Sequence, residues 1–390
     1  MIWISGCSPE VILRKQGNKR TTYKLTNYSE RTMTKRVVIA MSGGVDSSVA
    51  AHFLIEQGYD VIGLFMRLGN TATAPPPDRK TATCCSAEDA RDARNVASFL
   101  GIPFYVINFE DEFNSIIEYF CDEYMKGRTP NPCIICNQEL KFGKLLRFAD
   151  YLKADYVATG HFARIDRLNE RYVLKKGIDD NKDQSYVLFS LDQNQLSRAM
   201  FPLGNMTKEE VRKEASKVNL KTKDKPESQE ICFVTGKSYS DLIVEKVGTE
   251  IGTGLLKDTD DNTLCTHDGI HNFTIGQRKG LGMAFGEPRY VVDIDPTKNT
   301  VTVGVAEKLM KDTFTVDKVN WIAIEKLEKE LCASVKIRYK HEGTPAVIYP
   351  LEHNRVRVEL KKPQRAITPG QAAVFYDGDI VIGGGWIERD

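Results

Sequence analysis

The 390-residue chain has no apolar run approaching the roughly 20 residues that a membrane-spanning helix needs. Helices crossing a bilayer are therefore not expected. It has no excess of either charge: 54 Lys and Arg against 53 Asp and Glu leave a formal net charge of +1. The chain is not a polycation, and any nucleic-acid surface must be a local basic patch. Neither G-x-x-x-x-G-K-[ST] nor G-x-G-x-x-G occurs, which excludes a kinase-type P-loop and a nicotinamide site. No stretch combines the basic, apolar and small-residue regions of a signal peptide, and the nine cysteines are an odd, scattered set. A reducing cytoplasm is the expected location. Internal repeats and low-complexity tracts are absent. What is present is ordinary globular composition, 41% hydrophobic and 27% charged, in a length that predicts two or three domains.

Residues 1–33 carry no clear hydrophobic period and read as a disordered N-terminal extension. It is either a tail or the product of a start upstream of Met33, and its basic, hydroxyl-rich composition also allows a targeting peptide. From 36 onward, "RVVIAM", "YDVIGLFMRL", "IPFYVINF" and "YVATGHFARI" read as strands. They alternate with helical patterns closed by Gly58 and Gly101 or opened by the capping boxes Ser86/Asp89 and Thr207/Glu210. Strands alternating with helices predict an α/β domain with a doubly wound parallel sheet, whose ligand site lies off the carboxyl ends of the strands. Near 235 the texture becomes short alternating runs, as in the hairpin "YVVDIDPTKNTVTVGV". The expected organisation is a catalytic domain at 34–235, a small mainly β connecting domain at 236–311 and a C-terminal β-barrel at 312–390.

Two stretches carry chemistry. "SGGVDSS" (42–48) falls between the first strand and a helix start, where unpaired amides and the helix dipole attract an anion. Gly43 and Gly44 allow close approach to a phosphate, Ser42, Ser47 and Ser48 can donate, and Asp46 could help hold Mg²⁺. A Ser/Gly turn with a good N-cap is the plainer reading of a lone S-G-G. "TPNPCIICNQELKFG" (129–143) puts Cys133 and Cys136 in a C-x-x-C spacing just ahead of a helical pattern. A structural metal, a disulfide, an iron–sulfur cluster and a nucleophile all fit that spacing. Cys232, in "ESQEICF", also follows a polar loop, and either Cys136 or Cys232 alone would more often be a small buried hydrophobe.

The complete S-G-G-V-D-S-S resembles the PP-loop of the ATP pyrophosphatase superfamily. With "GRTPNPCIICNQELKFG", "ATGHFARI", "KDQSYVLFSL", "ESQEICF", "RYK" at 338 and "TPGQAAVFY" at 368, the chain from about 35 onward resembles the tRNA-specific 2-thiouridylases, the MnmA family. That resemblance implies ATP bound along Ala40, Met41, Ser42, Gly43, Gly44, Val45, Asp46 and Ser47, with Met66 and with Gly160, where a side chain would crowd the nucleotide. It implies adenylation of O2 of the wobble uridine of tRNA, a persulfide on Cys232, and Cys136 as the nucleophile that frees the sulfur and ends in a transient disulfide with Cys232. The target base is expected beside Asn131, Pro132 and Cys133. His161, Lys182, Asp183 and Gln184, with Arg338, Tyr339 and Gln371 from the barrel, are expected to touch tRNA. The implied partners are tRNAs with Glu, Gln and Lys acceptors, and a persulfide donor such as a cysteine desulfurase or sulfur relay protein.

The family often has Asn-Pro-Asp where this chain has Asn-Pro-Cys, so an acid/base role for that aspartate does not transfer to Cys133. Cys133, Cys136 and Cys232 could instead supply three thiolates to a [4Fe-4S] cluster with an open iron site. Two other readings remain at this level: a PP-loop ligase using ammonia or an amine, with no use for the cysteine pair, and an RNA-binding protein holding ATP structurally. Cys84 and Cys85 precede a helical pattern and suit packing or redox roles; Cys7, Cys121, Cys265 and Cys332 have no partner at a telling spacing.

Overall fold

Apolar runs punctuated by glycines and capping boxes set the order of the first half. In a computed structural model the protein is described over residues 34–69, 86–225, 231–234, 238–248 and 252–389, so the extension at 1–33 and Cys84 and Cys85 lie outside the described residues. The chain runs through β1 (Arg36–Ala40), α1 (Val45–Glu56), β2 (Asp60–Arg67), α2 (Ala87–Leu100), β3 (Phe104–Asn108) and α3 (Glu110–Met125). Next come α4 (Pro132–Ile135), a π-helical stretch (Cys136–Lys144), α5 (Leu145–Tyr151), β4 (Tyr156–Ala158), β5 (Ala163–Leu168), β6 (Arg171–Lys176), α6 (Gln193–Arg198), β7 (Ala199–Met200), α7 (Lys208–Lys217) and α8 (Tyr239–Val247). Both expected capping boxes form, and Gly101 ends α2 at φ +71°, where a side chain would be strained. Five strands make a parallel sheet in the order β3-β2-β1-β4-β7. Val37, Val38 and Ile39 of β1 are fully buried, as a central strand covered on both faces requires.

The sheet reverses its winding between β1 and β4, so the crevice at their carboxyl ends is the switch point where α/β folds bind ligands. The expected single strand over "YVATGHFARI" is instead two, β4 and β5, broken at Thr159–Phe162. The break lets β5 and β6 leave the parallel sheet: β6 pairs antiparallel with the last strand of the C-terminal barrel. The cysteine pair also differs from expectation. Pro132 opens a helix at a position where its missing N–H costs nothing, so Cys133 and Cys136 lie inside a first helical turn rather than ahead of it.

A four-stranded sheet of order β10-β11-β8-β9 follows, from β8 (Gly254–Asp258), β9 (Thr263–His267), β10 (Tyr290–Asp295) and β11 (Thr300–Gly304), and the β10–β11 hairpin matches expectation. The barrel comprises β12 (Met310–Trp321), β13 (Leu331–Lys336), β14 (Thr344–Leu351), β15 (Arg355–Arg365), β16 (Ala372–Asp377) and β17 (Ile380–Ile387). It closes because β12 pairs with both β15 and β17. One apolar core is common to sheet and barrel: Val38 and Leu64 belong to the same cluster as Tyr186, Phe189, Val374 and Tyr376. Each such side chain contributes about 1.5–3 kcal/mol on burial. Among the described residues, no helix is long and apolar enough to cross a membrane.

Burial holds four histidines below their ordinary range: His161 well below it, and His267, His271 and His341 to a lesser degree. The unfolded chain then binds more protons than the native one at pH values under the ordinary histidine pKa, about 6.5. Their contribution to stability is complete above about pH 6.5 and is lost as pH falls towards and through the native values. The melting temperature, followed by circular dichroism, should accordingly fall from pH 7 to pH 5.5, and His161→Phe, which leaves no imidazole to charge, should flatten that slope.

Candidate active site

The loop between β1 and α1 is shaped by small residues. Gly43 has φ +75°, and a Cβ there would stand 2.4 Å from the carbonyl oxygen of Asp89. Gly44 occupies the N-cap of α1 with no side-chain cap, which leaves the first-turn amides open to a ligand. The Ser47 hydroxyl accepts from the Ser42 amide (3.2 Å), and the Ser48 hydroxyl donates to the Gly44 carbonyl (2.8 Å) while accepting from Thr222 (3.2 Å). Ala40, Met41 and Val45 point into the core, so they can offer a nucleotide only their backbone. Met66 ends β2 half-buried between two apolar clusters. A Cβ on Gly160 would lie 2.8 Å from the Ser47 amide nitrogen and 2.9 Å from the Asp46 carbonyl carbon. Its bare α-carbon lets the segment after β4 approach the loop closely.

Sequence reasoning missed Lys208. Its ammonium reaches both carboxylate oxygens of Asp46, at 2.6 and 2.8 Å, and lies 5.7 Å from the centre of the Phe162 ring. A cation beside open helix amides adds to their attraction for phosphate. Asp46 can join Mg²⁺ together with substrate phosphates if the ammonium moves to those phosphates. The sequence signal was present in the Thr207/Glu210 capping box, but a lysine at the first position of a charged helix reads as solvent-facing. Lys225 was missed similarly. Its ammonium bridges Asp89 (2.7 Å) and Asp92 (2.6 Å), and although burial opposes its charge, the two carboxylates prevail and hold its pKa above the ordinary range. It ties the chain leading to Cys232 to the helix that packs on Gly43.

The thiols are arranged by helix geometry. Cys133 is exposed and Cys136 half-buried, with the Cys136 amide donating to the carbonyls of Cys133 and Pro132. After Cys136 the helix widens into π geometry, and the Gln195 side-chain amide donates to the carbonyls of Gln138 and Phe142, both at 3.0 Å, stabilising the wide turn. Cys136 and Cys232 pack against one apolar cluster built on Phe113, Ile117 and Phe120, onto which Phe233 packs edge-on. Among the described residues, no group of three or more His, Cys, Asp or Glu is placed to hold a metal ion. Of the three thiols considered for a cluster, Cys133 is exposed, while Cys136 and Cys232 are half-buried.

The barrel docks beside the thiols. Gln371 donates to the carbonyls of Thr129 (3.0 Å) and Pro130 (3.3 Å), the Thr129 amide donates to the Pro369 carbonyl (2.8 Å), and Gly370 has φ +86° with no room for a Cβ against Arg128. Arg128 is held in turn by the buried carboxylate of Glu123. Asn131 and Pro132 follow directly, so Gln371 and the expected target-base residues share one locus. Arg338 and Tyr339 are exposed on the barrel, and Tyr339 meets Tyr186 edge-on. Lys182 is half-buried nearby in sequence.

His161, Asp183 and Gln184 each make hydrogen bonds within the fold. His161 is buried, with its Nδ1 2.7 Å from the Thr159 hydroxyl. The buried Asp183 carboxylate accepts from the Gly177 and Ser185 amides and the Ser185 hydroxyl, with Lys336 at 3.8 Å. The Gln184 side-chain oxygen accepts from the Phe162 amide at 3.0 Å.

A nucleotide loop at the switch point of a parallel sheet, with a thiol pair and a closed barrel at its rim, defines a PP-loop enzyme of the HUP class. Family models for a tRNA methyl transferase HUP domain, a tRNA methyl transferase PRC-barrel domain and an aminomethyltransferase β-barrel domain match residues 35–236, 240–305 and 311–387. The chain is 51% identical to tRNA-specific 2-thiouridylase MnmA 2 of Thermoanaerobacter sp. (strain X514), over 92% of this chain and 99% of that protein. It is 50% identical to MnmA of Acetivibrio thermocellus (91% and 99% covered) and 51% identical to MnmA of Geotalea uraniireducens (91% and 95%). The chain belongs to the tRNA-specific 2-thiouridylase MnmA family.

Gly160→Ala should press on the loop backbone and cost about 2 kcal/mol of ATP binding, a roughly 30-fold rise in the ATP dissociation constant, measurable by calorimetry with the fold intact by circular dichroism. Lys208→Met should weaken ATP about tenfold by removing one charge-assisted phosphate contact, in the same assay.

Proposed function

We propose that this enzyme thiolates C2 of the wobble uridine of tRNA in an ATP-dependent reaction, using a persulfide on Cys232. The observation that carries the reading is that Cys136 and Cys232, far apart in sequence, pack on one apolar cluster beside the loop on which the barrel docks; the relatives' names supply the substrate. ATP lies on the loop from Ala40 to Ser47 with its phosphates at the α1 amides and Lys208, and Mg²⁺ joins the phosphates to Asp46. The uridine enters beside Asn131, Pro132 and Cys133. Its O2 attacks the α-phosphorus, pyrophosphate leaves, and C2 becomes open to displacement.

The terminal sulfur of the Cys232 persulfide attacks C2 and AMP departs. The Cys136 thiolate then attacks Sγ of Cys232, the bond between Cys232 and the transferred sulfur breaks, the base keeps that sulfur as a thiocarbonyl, and a Cys136–Cys232 disulfide forms. The basic segments "KIRYKH" and "KKPQR", with Arg338 and Tyr339, supply local positive charge for tRNA, so binding weakens as salt rises. A cysteine desulfurase or sulfur relay protein reloads Cys232, and the tRNAs with Glu, Gln and Lys acceptors are the expected substrates. The persulfide route is preferred over sulfide carried by an iron–sulfur cluster because Cys136 and Cys232 pack on one apolar cluster.

The test is anaerobic incubation of unmodified tRNA with ATP and Mg²⁺, once with a persulfide-generating desulfurase and once with cluster-reconstituted protein plus sulfide. 2-Thiouridine should appear with the desulfurase, and Cys232→Ser should abolish it while tRNA-dependent pyrophosphate release continues. Product with the cluster alone would reverse the choice of sulfur carrier. Activity surviving Cys232→Ser would point to the amide-ligase chemistry, and no tRNA-dependent pyrophosphate release to an RNA-binding protein that holds ATP structurally.

A further inference from the structure

A disulfide left between Cys136 and Cys232 must be reduced before the next turnover. Both cysteines are half-buried and pack, with Ile231, Phe233 and Val234, against one apolar cluster. An external reductant reaches such a half-buried bond less readily than an exposed one, since exchange requires access to a sulfur. Cys133 is different: it is exposed. It stands three residues before Cys136 in continuous helical backbone, with Ile135 at φ −61°, ψ −43° and Cys136 at φ −59°, ψ −41°. The Cys136 amide donates to the Cys133 carbonyl. Residues three apart on a helix are neighbours, about 5–6 Å between Cβ atoms, and a small adjustment of the first turn brings such a pair towards the roughly 3.5–4.5 Å of a disulfide. C-x-x-C thiols at a helix start are a known redox arrangement. Cys136 thus shares an apolar cluster with Cys232 and a helical turn with Cys133.

We infer that Cys133 is the resolving thiol of the reaction, moving the disulfide from the Cys136–Cys232 pair to the exposed Cys133–Cys136 pair. The inference rests on the thiolation reading above. The Cys133 thiol gives its proton to solvent and the thiolate attacks Sγ of Cys136. The Cys133–Cys136 bond forms, the Cys136–Cys232 bond breaks, and Cys232 leaves as a thiolate ready to accept a new persulfide. An external dithiol then attacks the exposed disulfide, returns two electrons and is itself oxidised to a disulfide, so each turnover consumes one dithiol. A cysteine at this position, where the family often has aspartate, then has a chemical role of its own.

The experiment uses the full chain with unmodified tRNA, ATP, Mg²⁺ and a desulfurase. After one turnover without reductant, the enzyme is alkylated and digested, and the peptides are mapped under non-reducing conditions. Wild type should carry the internal disulfide within the 129–141 peptide, and Cys133→Ser a cross-link from 129–141 to the peptide containing Cys232. At limiting dithiol, Cys133→Ser and Cys133→Asp should each lower the ratio of steady-state to single-turnover rate about tenfold. A wild-type cross-link that persists between Cys136 and Cys232, or a Cys133→Asp ratio equal to wild type, overturns the inference while leaving thiolation in place. Absence of any 2-thiouridine with wild type removes the thiolation reading, and this step with it.

Discussion

The apolar core common to the parallel sheet and the barrel is the constraint on which the rest of the site depends. Tyr186 illustrates it: fully buried, it donates its hydroxyl to the Ala372 carbonyl of β16, and burial pushes its pKa up to well beyond the ordinary tyrosine range. Phe189 lies so close to β17 that Gly384 has no room for a Cβ. Burial on this scale makes barrel and sheet one folding unit rather than modules on a linker. The loop at Pro369–Gln371 is consequently delivered to the backbone of Thr129 and Pro130.

Two consequences follow for the chemistry. The helix bearing Cys133 and Cys136 is fixed from outside by the barrel and from within by Gln195, whose amide satisfies carbonyls that the π turn leaves splayed. On the opposite side, glycines at 43 and 160 allow α2 and β4 to close on the phosphate loop, and Lys208 and Lys225 hold the acidic residues around it. Phosphate loop and thiols are thus each held by backbone contacts that a side chain would prevent. The geometry tolerates little change, which suits a reaction in which an activated base must meet sulfur before water.

Buried polar groups at the junction of lobe and barrel form a connected network. The Asp183 carboxylate accepts from two amides and a hydroxyl, with Lys336 facing it from β13. Lys176 and Lys336 both lie over the Tyr376 ring, at 4.7 and 5.5 Å. Burial and the Asp183 carboxylate keep the Tyr376 phenol protonated. This network supports the surface carrying Arg338 and Tyr339 and touches solvent little itself.

The linear sequence determined the local structure: the alternation of strand and helix, the capping boxes at Ser86 and Thr207, the anion-binding turn at 42–48 and the switch to β texture near 235. Each of these is encoded by neighbours within a few residues, through period, caps and glycines. Tertiary structure decided everything that depends on residues distant in sequence. It broke the strand over 156–165 because Gly160 had to meet the phosphate loop and β5 had to follow β6 to the barrel; it turned Lys208 from a surface lysine into the partner of Asp46. It also left Cys133 exposed and Cys136 half-buried, since a helix gives each residue a fixed direction and only packing against α3 and the Cys232 segment decides which direction is inward.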